Sequence, residues 1–537
     1  MIIFEVPEDL AAEVLEDSLS WVERASPGMT ASSQVNRGQK IGLIAGGLLL
    51  VLACVLAPIG TVMVLTTLAT FLYLITLAHR VCLVRIGLSS DASIQVADED
   101  ALAVADEDLP IYTLLVPAYG EPEVLPDLVR ALERIDYPRD RLDVKLLLEV
   151  NDEKTIAAAR SIETDLPIDV LLLPAGEPQT KPRALNYGLY FSRGSIITIY
   201  DAEDHPDPLQ LRRAVVAFSR VDDDVACLQA KLSFYGGTTN LLTRWFTAEY
   251  ATWFSLYLPG LASTKSPIPL GGTSNHFLRE ALEDVGCWDA YNVTEDCDLG
   301  IRLQRKGYRV GILDSATMEE PNVDVVMWVK QRSRWYKGYL QTWLIGMRDP
   351  RGMVRDLGWA GMGHFCLFVG STPVLAVLNL FFWSMTLLWL VTKAAFIQAL
   401  FPGVLYYLAI FAWFVGNVVI VYLSLLTLRA MNKPEFLVSA LLSPLYWIVM
   451  SIAALRAAVQ LVTDPSHWEK TAHGLHLQLD SENSLQPSPK VVAAPRPEPV
   501  HDLGPEGEPE IAIDLTEQSV QIEEVIDLTA TAKSQAN

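Results

Sequence analysis

The chain has 537 residues, of which 51% are hydrophobic, and its formal net charge is −23. Thirteen Trp and 18 Tyr exclude a mainly disordered chain. The acidity excludes bulk binding to nucleic acid, whose phosphates it would repel, and the length suits roughly two to four domains.

Residues 1–40 carry seven acids and three bases and form an acidic N-terminal flank. Within it Leu10, Val14 and Leu15, with Trp21 and Val22, have the spacing of a short amphipathic helix, expected to lie on a membrane or dock a partner. Two apolar runs follow, Ile41–Ala57 and Thr61–Ala78, each of nearly membrane-spanning length. Pro58-Ile-Gly60 breaks them, so residues 41–80 are expected to form a transmembrane hairpin. Arg37 and Lys40 precede it and Arg80 and Arg85 follow, which by the positive-inside rule makes both flanks cytoplasmic. The late start of the first run argues against a cleaved signal peptide.

Residues 91–108 hold seven acids and no base. They repeat Val96-Ala-Asp-Glu-Asp100 as Val104-Ala-Asp-Glu-Asp108, and a solvated acidic linker is the expectation. From 109 to 350 strand and helix patterns alternate. Ile111–Val116, Val144–Val150, Val170–Leu173, Ile196–Tyr200 and Ala226–Ala230 are apolar strand runs. Pro122–Ile135, Thr155–Ile162 and Arg183–Phe191 have helical spacing. Continuous apolar strands between helices imply an α/β domain with a mostly parallel sheet covered on both faces. Ligands of such sheets bind beyond the carboxyl ends of the strands.

Those ends are polar. Pro117-Ala-Tyr-Gly-Glu121 follows the first strand, Glu149-Val-Asn-Asp152 the second, and Asp201-Ala-Glu-Asp204 with His205 the fourth. Carboxylates at three strand ends suit a divalent cation or a nucleotide's base and ribose; helix capping would account for any one of them. Gly271-Gly-Thr-Ser-Asn275-His276 and Val293-Thr-Glu-Asp296 come next. Thr294 could cap a helix, with Glu295 and Asp296 in its first turn. In Gln331-Arg-Ser-Arg334-Trp335, helical spacing sets Gln331, Arg334 and Trp335 on one face. An Arg can hold phosphate in a bidentate way and an indole can stack on a sugar.

A second apolar block covers residues 362–462. Phe365–Val391 and Val404–Leu428 have the form of spans. Phe436–Val462 contains Pro444 and Arg456, and a base there is costly in lipid unless it faces protein or water. The six Cys show no metal-ligand spacing and are expected to be reduced thiols. The acidic tail, 476–537, is rich in Pro, Glu and Ser and is expected to be disordered. It contains the short islands Ile513-Asp-Leu-Thr516 and Ile526-Asp-Leu-Thr529. The 1–40 flank (−4), the 91–108 linker (−7) and residues 474–537 (−9) together hold −20 of the −23.

The order of these motifs between two apolar blocks resembles the membrane-embedded family 2 glycosyltransferases: the cellulose, chitin, hyaluronan and poly-N-acetylglucosamine synthases. The likeness covers about residues 40–472. It implies a GT-A domain set between transmembrane helices in a bacterial inner membrane, with the catalytic domain cytoplasmic. It further implies an inverting transfer from a UDP-sugar that extends a β-linked exopolysaccharide and moves it across the bilayer, with export proteins of the periplasm or outer membrane as partners. The alternative is transfer of one sugar to a lipid-linked acceptor, and a catalytically dead assembly subunit is the other reading.

Carried over by residue, the resemblance gives Ala118, Tyr119 and Glu121 the uridine, with Glu149 or Asp152 as a second nucleotide carboxylate. Lys181 and Arg183 match its basic stretch. Asp201 and Glu203 match the DxD pair that holds Mg²⁺ or Mn²⁺, with Glu in place of the second Asp, and Asp204 could serve instead. Asp296 matches the catalytic base, with Glu295 beside it, and Gln331, Arg334 and Trp335 match the motif that holds the diphosphate and the acceptor end. Trp468-Glu-Lys-Thr471 with His473-Gly474 looks like a motif found after the last membrane segment of several such synthases. It marks 463–475 as a gating segment at the cytoplasmic mouth and favours a re-entrant, interfacial or doubly crossing 436–462.

Overall fold

The structure is a computed structural model that describes residues 1–465 apart from Glu5, Ser90, Asp91, Ala395, Gln398, Ala399 and Pro402. The Trp468–Gly474 motif and the 476–537 tail lie outside the described residues.

Among the described residues nine strands form one sheet: β1 (Ile2–Phe4), β2 (Tyr112–Ala118), β3 (Leu142–Glu149), β4 (Ile168–Leu173), β5 (Ile196–Ile199), β6 (His205–Pro206), β7 (Val225–Phe234), β8 (Asn275–Leu278) and β9 (Arg309–Glu319). Their spatial order is β1-β4-β3-β2-β5-β8-β7-β9-β6. The pairs β1–β4, β4–β3, β3–β2, β2–β5 and β7–β9 are parallel. Only β8, against β5 and β7, and the short β6 run antiparallel. The mostly parallel α/β class is therefore as expected. From β2 the chain proceeds outward through β3 and β4, then returns to β5 on the other flank, so β2 and β5 border a topological switch point.

The helices that position the site are α1 (Glu8–Leu19), α2 (Arg37–Leu56), α3 (Pro58–Gly87), α4 (Leu125–Glu133), α5 (Glu153–Ser161), α6 (Lys181–Tyr190), α7 (Gln210–Arg220), α8 (Leu241–Thr252), α9 (Glu295–Arg305), α10 (Val325–Gly346), α11 (Pro350–Phe365), α12 (Ser371–Thr392), α13 (Val404–Ala430) and α14 (Ser443–Thr463). One sheet face is covered by α4, α5 and α7 through Leu128, Leu132, Ile156, Leu211 and Ala214. The other is covered by α6 and α9 through Leu185, Leu189, Leu299 and Leu303. Burial on both faces explains why the strands are apolar without alternation.

Two acidic segments depart from expectation. The 1–40 flank is built into the sheet layer: β1 adds an edge strand beside β4, and Val14 and Leu15 of α1 join the core under α6. Its helix docks on this chain. The 91–108 segment is not a solvated spacer. Ile94 bridges to β9, Val96 and Ala101 are buried, and Asp98, Asp100 and Asp106 pair with Arg213, Arg220 and Arg212 of α7 at 2.6, 2.9 and 2.5 Å. Each Val-Ala-Asp-Glu-Asp repeat enters a helical turn at its first Asp, so the duplication presents Asp98 and Asp106 to adjacent arginines.

Among the described residues, five helical stretches are long and apolar enough to cross a membrane: α2, α3, α11 joined to α12 (Pro350–Thr392), α13 and α14. Inside α11, Gly358 takes φ +69°, which turns the helix as it leaves the catalytic layer. The helix α14 is unbroken over 21 residues, yet it runs along α10 with both ends at the catalytic layer. Near its start the Tyr446 hydroxyl donates to Glu249 Oε2 (2.6 Å). Just past its end Lys337 Nζ donates to the Asp464 carbonyl (3.2 Å) and Gln341 Nε2 to the Pro465 carbonyl (2.8 Å).

Candidate active site

A cavity of about 590 Å³ begins at the carboxyl ends of β2, β3 and β5 and continues between α3, α12, α13 and α14. Its sheet end is lined by Ala118, Tyr119, Glu121, Glu149, Lys181, Asp201 and Glu203, and its middle by Glu295, Asp296, Gln331, Arg334 and Trp335. The sequence-predicted residues therefore converge on one wall, with two exceptions. Asp152 and Arg183 stand behind it. Asp152 caps α5 and also accepts the Gly120 N–H, so it shapes the Tyr119–Glu121 loop. Arg183 is fully buried; it donates to the carbonyls of Pro174 (2.8 Å) and Gly176 and pairs with Glu149 at 2.9 Å. Burial pushes the Glu149 carboxyl up to about 7 despite that arginine.

The loop after β5 turns its carboxylates to different tasks. Asp204 is completely buried and accepts the Asp201 N–H (2.8 Å) and the Thr273 hydroxyl. It thus shapes the turn that presents Asp201 and Glu203 to the cavity and leaves those two as the carboxylates that could hold a cation. Asp201 receives Lys181 Nζ, which also donates to the Gly272 carbonyl (2.8 Å).

Glu319, at the end of β9, also lines this corner and has no counterpart among the residues singled out from sequence. Burial, then the charges of Asp204, Glu203 and Asp201, hold its carboxyl far above the usual range. Asp204 is raised by burial and by Asp201 and Glu203 in the same way. Four carboxylates share a corner whose nearest base is Lys181, a deficit of positive charge that fits a divalent cation. Among the described residues no three His, Cys, Asp or Glu side chains come together as a protein-only cage. Asp201 and Glu203 with phosphate oxygens are the donor set such an ion would find, the usual arrangement for Mg²⁺.

The α9 turn carries the next pair. Thr294 precedes the helix but makes no side-chain cap bond, so capping does not explain this triplet. Instead Asp296 Oδ1 accepts the Cys297 N–H (2.7 Å). Burial raises Asp296 to about 6, against the pull of the Cys297 N–H, Lys181 and Arg334. Glu295 is more enclosed, and burial with the Asp296 charge pushes it up to about 8. Gly338 lets α10 press on this turn, since a Cβ there would run into Thr294.

On α10, Gln331 accepts from Asn322 Nδ2 (3.0 Å). Arg334 is enclosed and faces Glu295, Asp296 and Asp201; burial lowers its pKa. Trp335 stacks on Tyr250 at 6.3 Å, and the Arg332 guanidinium lies 4.6 Å from the Trp335 ring. Arg332 is held by both oxygens of Glu249, at 2.8 and 2.6 Å. This Glu249–Arg332–Tyr446 cluster fixes the indole. Sequence spacing could not reveal it, because its members lie on three separate helices.

Residues 196–431 match the model of the family described as glycosyl transferase family group 2. The chain is 25% identical over 380 residues to the Bacillus subtilis protein named probable glycosyltransferase YdaM, a match covering 68% of this chain and 87% of that protein. It is 30% identical over 279 residues to the β-monoglucosyldiacylglycerol synthase of Synechocystis sp., covering 50% of this chain and 57% of that protein. The chain thus spans little over half the length of that synthase. Among solved structures, a mannosyltransferase of Pyrobaculum calidifontis in complex with GDP-Man and Mn²⁺ matches with a TM-score of 0.45 and 20% identity, over 76% of this chain and 99% of that one.

Proposed function

Taking the chain as a family 2 glycosyltransferase with a GT-A-like domain, and so a hexosyltransferase, we propose that it moves a sugar from a UDP-sugar, with inversion, onto a growing β-linked polysaccharide held in the membrane end of the cavity. The observation that carries the acceptor reading is the lining of that end. Thr76, Thr372, Asn379, Asn417 and Ser424 line it from α3, α12 and α13, set among Leu77, Leu375 and Ile420. Polar groups on apolar helices are costly where they meet lipid and useful where they line a hydrated path, which suits a sugar chain better than acyl tails.

In this reading Tyr119, Glu121 and Glu149 receive the uridine and ribose. Arg334 and Lys181 lie beside the diphosphate and offset the charge that grows on it as it leaves. Asp201 and Glu203 would hold Mg²⁺ or Mn²⁺, which when bound neutralises the same leaving group. Asp296 takes the proton of the acceptor hydroxyl as its oxygen attacks the anomeric carbon. The bond to the β-phosphate oxygen breaks on the opposite face, so an α-linked donor yields a β-linked product. Glu295, held neutral by burial, keeps a second negative charge away from Asp296. Trp335, steadied by Tyr250 and Arg332, offers a flat face to the acceptor sugar. In the same proposal the catalytic domain faces the cytoplasm of a bacterial inner membrane, and α14 lies along α10 at the interface, which the contacts at both its ends support.

A second reading, one sugar added to a lipid, is favoured by the match to β-monoglucosyldiacylglycerol synthases. The deciding experiment is product size. The full-length protein in lipid nanodiscs, given radiolabelled UDP-sugars and Mn²⁺ or Mg²⁺, should yield a ladder on a gel. A single labelled species that extracts into organic solvent would replace the polymer reading with the lipid one.

A further inference from the structure

Among the described residues four cations line the cavity: Arg80, Lys181, Arg332 and Arg334. Three of them face carboxylates. Lys181 pairs with Asp201, Arg332 pairs with Glu249, and Arg334 stands in the field of Glu295, Asp296 and Asp201. Arg80 is different. It touches the Thr372 hydroxyl, 3.5 Å from Nη2, and the Tyr257 ring, with the guanidinium 5.8 Å from its centroid, and its charge also reaches Tyr73, His79 and Tyr336. Its Nε is buried without a hydrogen-bond partner. Among the described residues it forms no ion pair.

A guanidinium cannot shed its proton to suit such a place, and a half-buried cation without a counter-charge is expensive beside apolar helices. Topology alone does not demand it, since Arg85 lies on the same helix end and is not part of the cavity wall. Position separates Arg80 from the donor as well. Its charge acts on Tyr257 and Tyr336, whereas Asp201 and Glu295 are answered by Lys181 and Arg334.

We propose that Arg80, with Thr372 and Tyr257, is an anion site that receives a phosphate carried by the acceptor. The inference rests on the second reading, in which the acceptor held in this cavity is a lipid. A phospholipid headgroup is the other source of the same chemistry, and the test separates the two. Native mass spectrometry of the full-length protein in neutral detergent would compare dioleoylphosphatidic acid with dioleoylglycerol. The wild type and R85Q should prefer the phosphatidic acid by about tenfold or more, the scale of a lost charged hydrogen bond, and R80Q should lose that preference. R80K, which keeps the charge, should retain part of it and shows that the fold survives. Equal binding of the two lipids by wild type, or an unchanged preference in R80Q, would overturn the site. Because this measurement needs no turnover, it stands whether or not the polymer reading does. In a UDP-release assay phosphatidic acid should raise the acceptor KM in wild type and not in R80Q. An unchanged acceptor KM in wild type would overturn the acceptor assignment in favour of a lipid headgroup.

Discussion

The carboxylates of the 92–108 strap and those around Asp201 are the same chemical groups in opposite surroundings. In the strap each of Asp98, Asp100 and Asp106 meets an arginine of α7 and remains 45% exposed or more. At the strand ends Asp201, Glu203, Asp204 and Glu319 crowd one corner, and burial and mutual repulsion drive Asp204 and Glu319 upward. The strap holds six carboxylates, and three of them are answered by arginines of α7. The corner adds less to the total, and Lys181 is the base that answers its carboxylates.

The comparison can be broken at its strongest point first. Asp296→Asn should lower kcat by about 10²–10⁴-fold, the usual worth of a general base, with UDP affinity by calorimetry nearly unchanged. Retained turnover would remove Asp296 from that role. Removing divalent cations with EDTA should cost on the order of 10²-fold in UDP release, restored by Mn²⁺ or Mg²⁺; full activity in chelator would mean that the crowded corner is balanced in some other way. The pH dependence comes next. Burial raises Asp296 to about 6, so it is protonated and useless as a base below that value and competent above it. Transfer should fall about tenfold for each pH unit below 6, and a flat profile from pH 5 to 7 would contradict the assignment. The smallest effect belongs to the strap. Asp98→Asn with Asp106→Asn should cost roughly 1 kcal/mol or less in stability, because the pairs are exposed and screened. The loss should shrink in high salt and leave kcat unaltered; a large loss of activity would give the strap a role beyond packing.

Much of the site was legible because strand ends of a parallel sheet are where such chemistry collects. The residues after β2, β3 and β5 needed only the apolar runs before them to be noticed. The α10 face followed from helical spacing. What stayed hidden depends on distant pairing. The acid repeat looks like a solvated spacer until Arg212 and Arg213, more than a hundred residues on, are brought against it. Glu319 ends a strand whose inner residues include Asp314, Ser315 and Thr317, too polar to stand out as sheet. The Glu249–Arg332–Tyr446 cluster joins three helices, its members lying 83 and 114 residues apart in the chain. The motif order assigns Arg183 and Asp152 to the nucleotide, whereas the fold shows them gripping loops from behind the cavity wall.

One further feature sets the order in which the molecule can assemble. The first strand, Ile2–Phe4, pairs with Ile168–Leu173, and α2 and α3 are made between them. During synthesis β1 must therefore wait, unpaired, until both apolar helices and most of the parallel half of the sheet have emerged. If the two helices enter a bilayer, its partner can reach it only when they enter as a returning pair. A variant that stranded the chain's start on the far face would leave β4 as a bare sheet edge, and failure of insertion would then be felt as a fault in a water-facing domain.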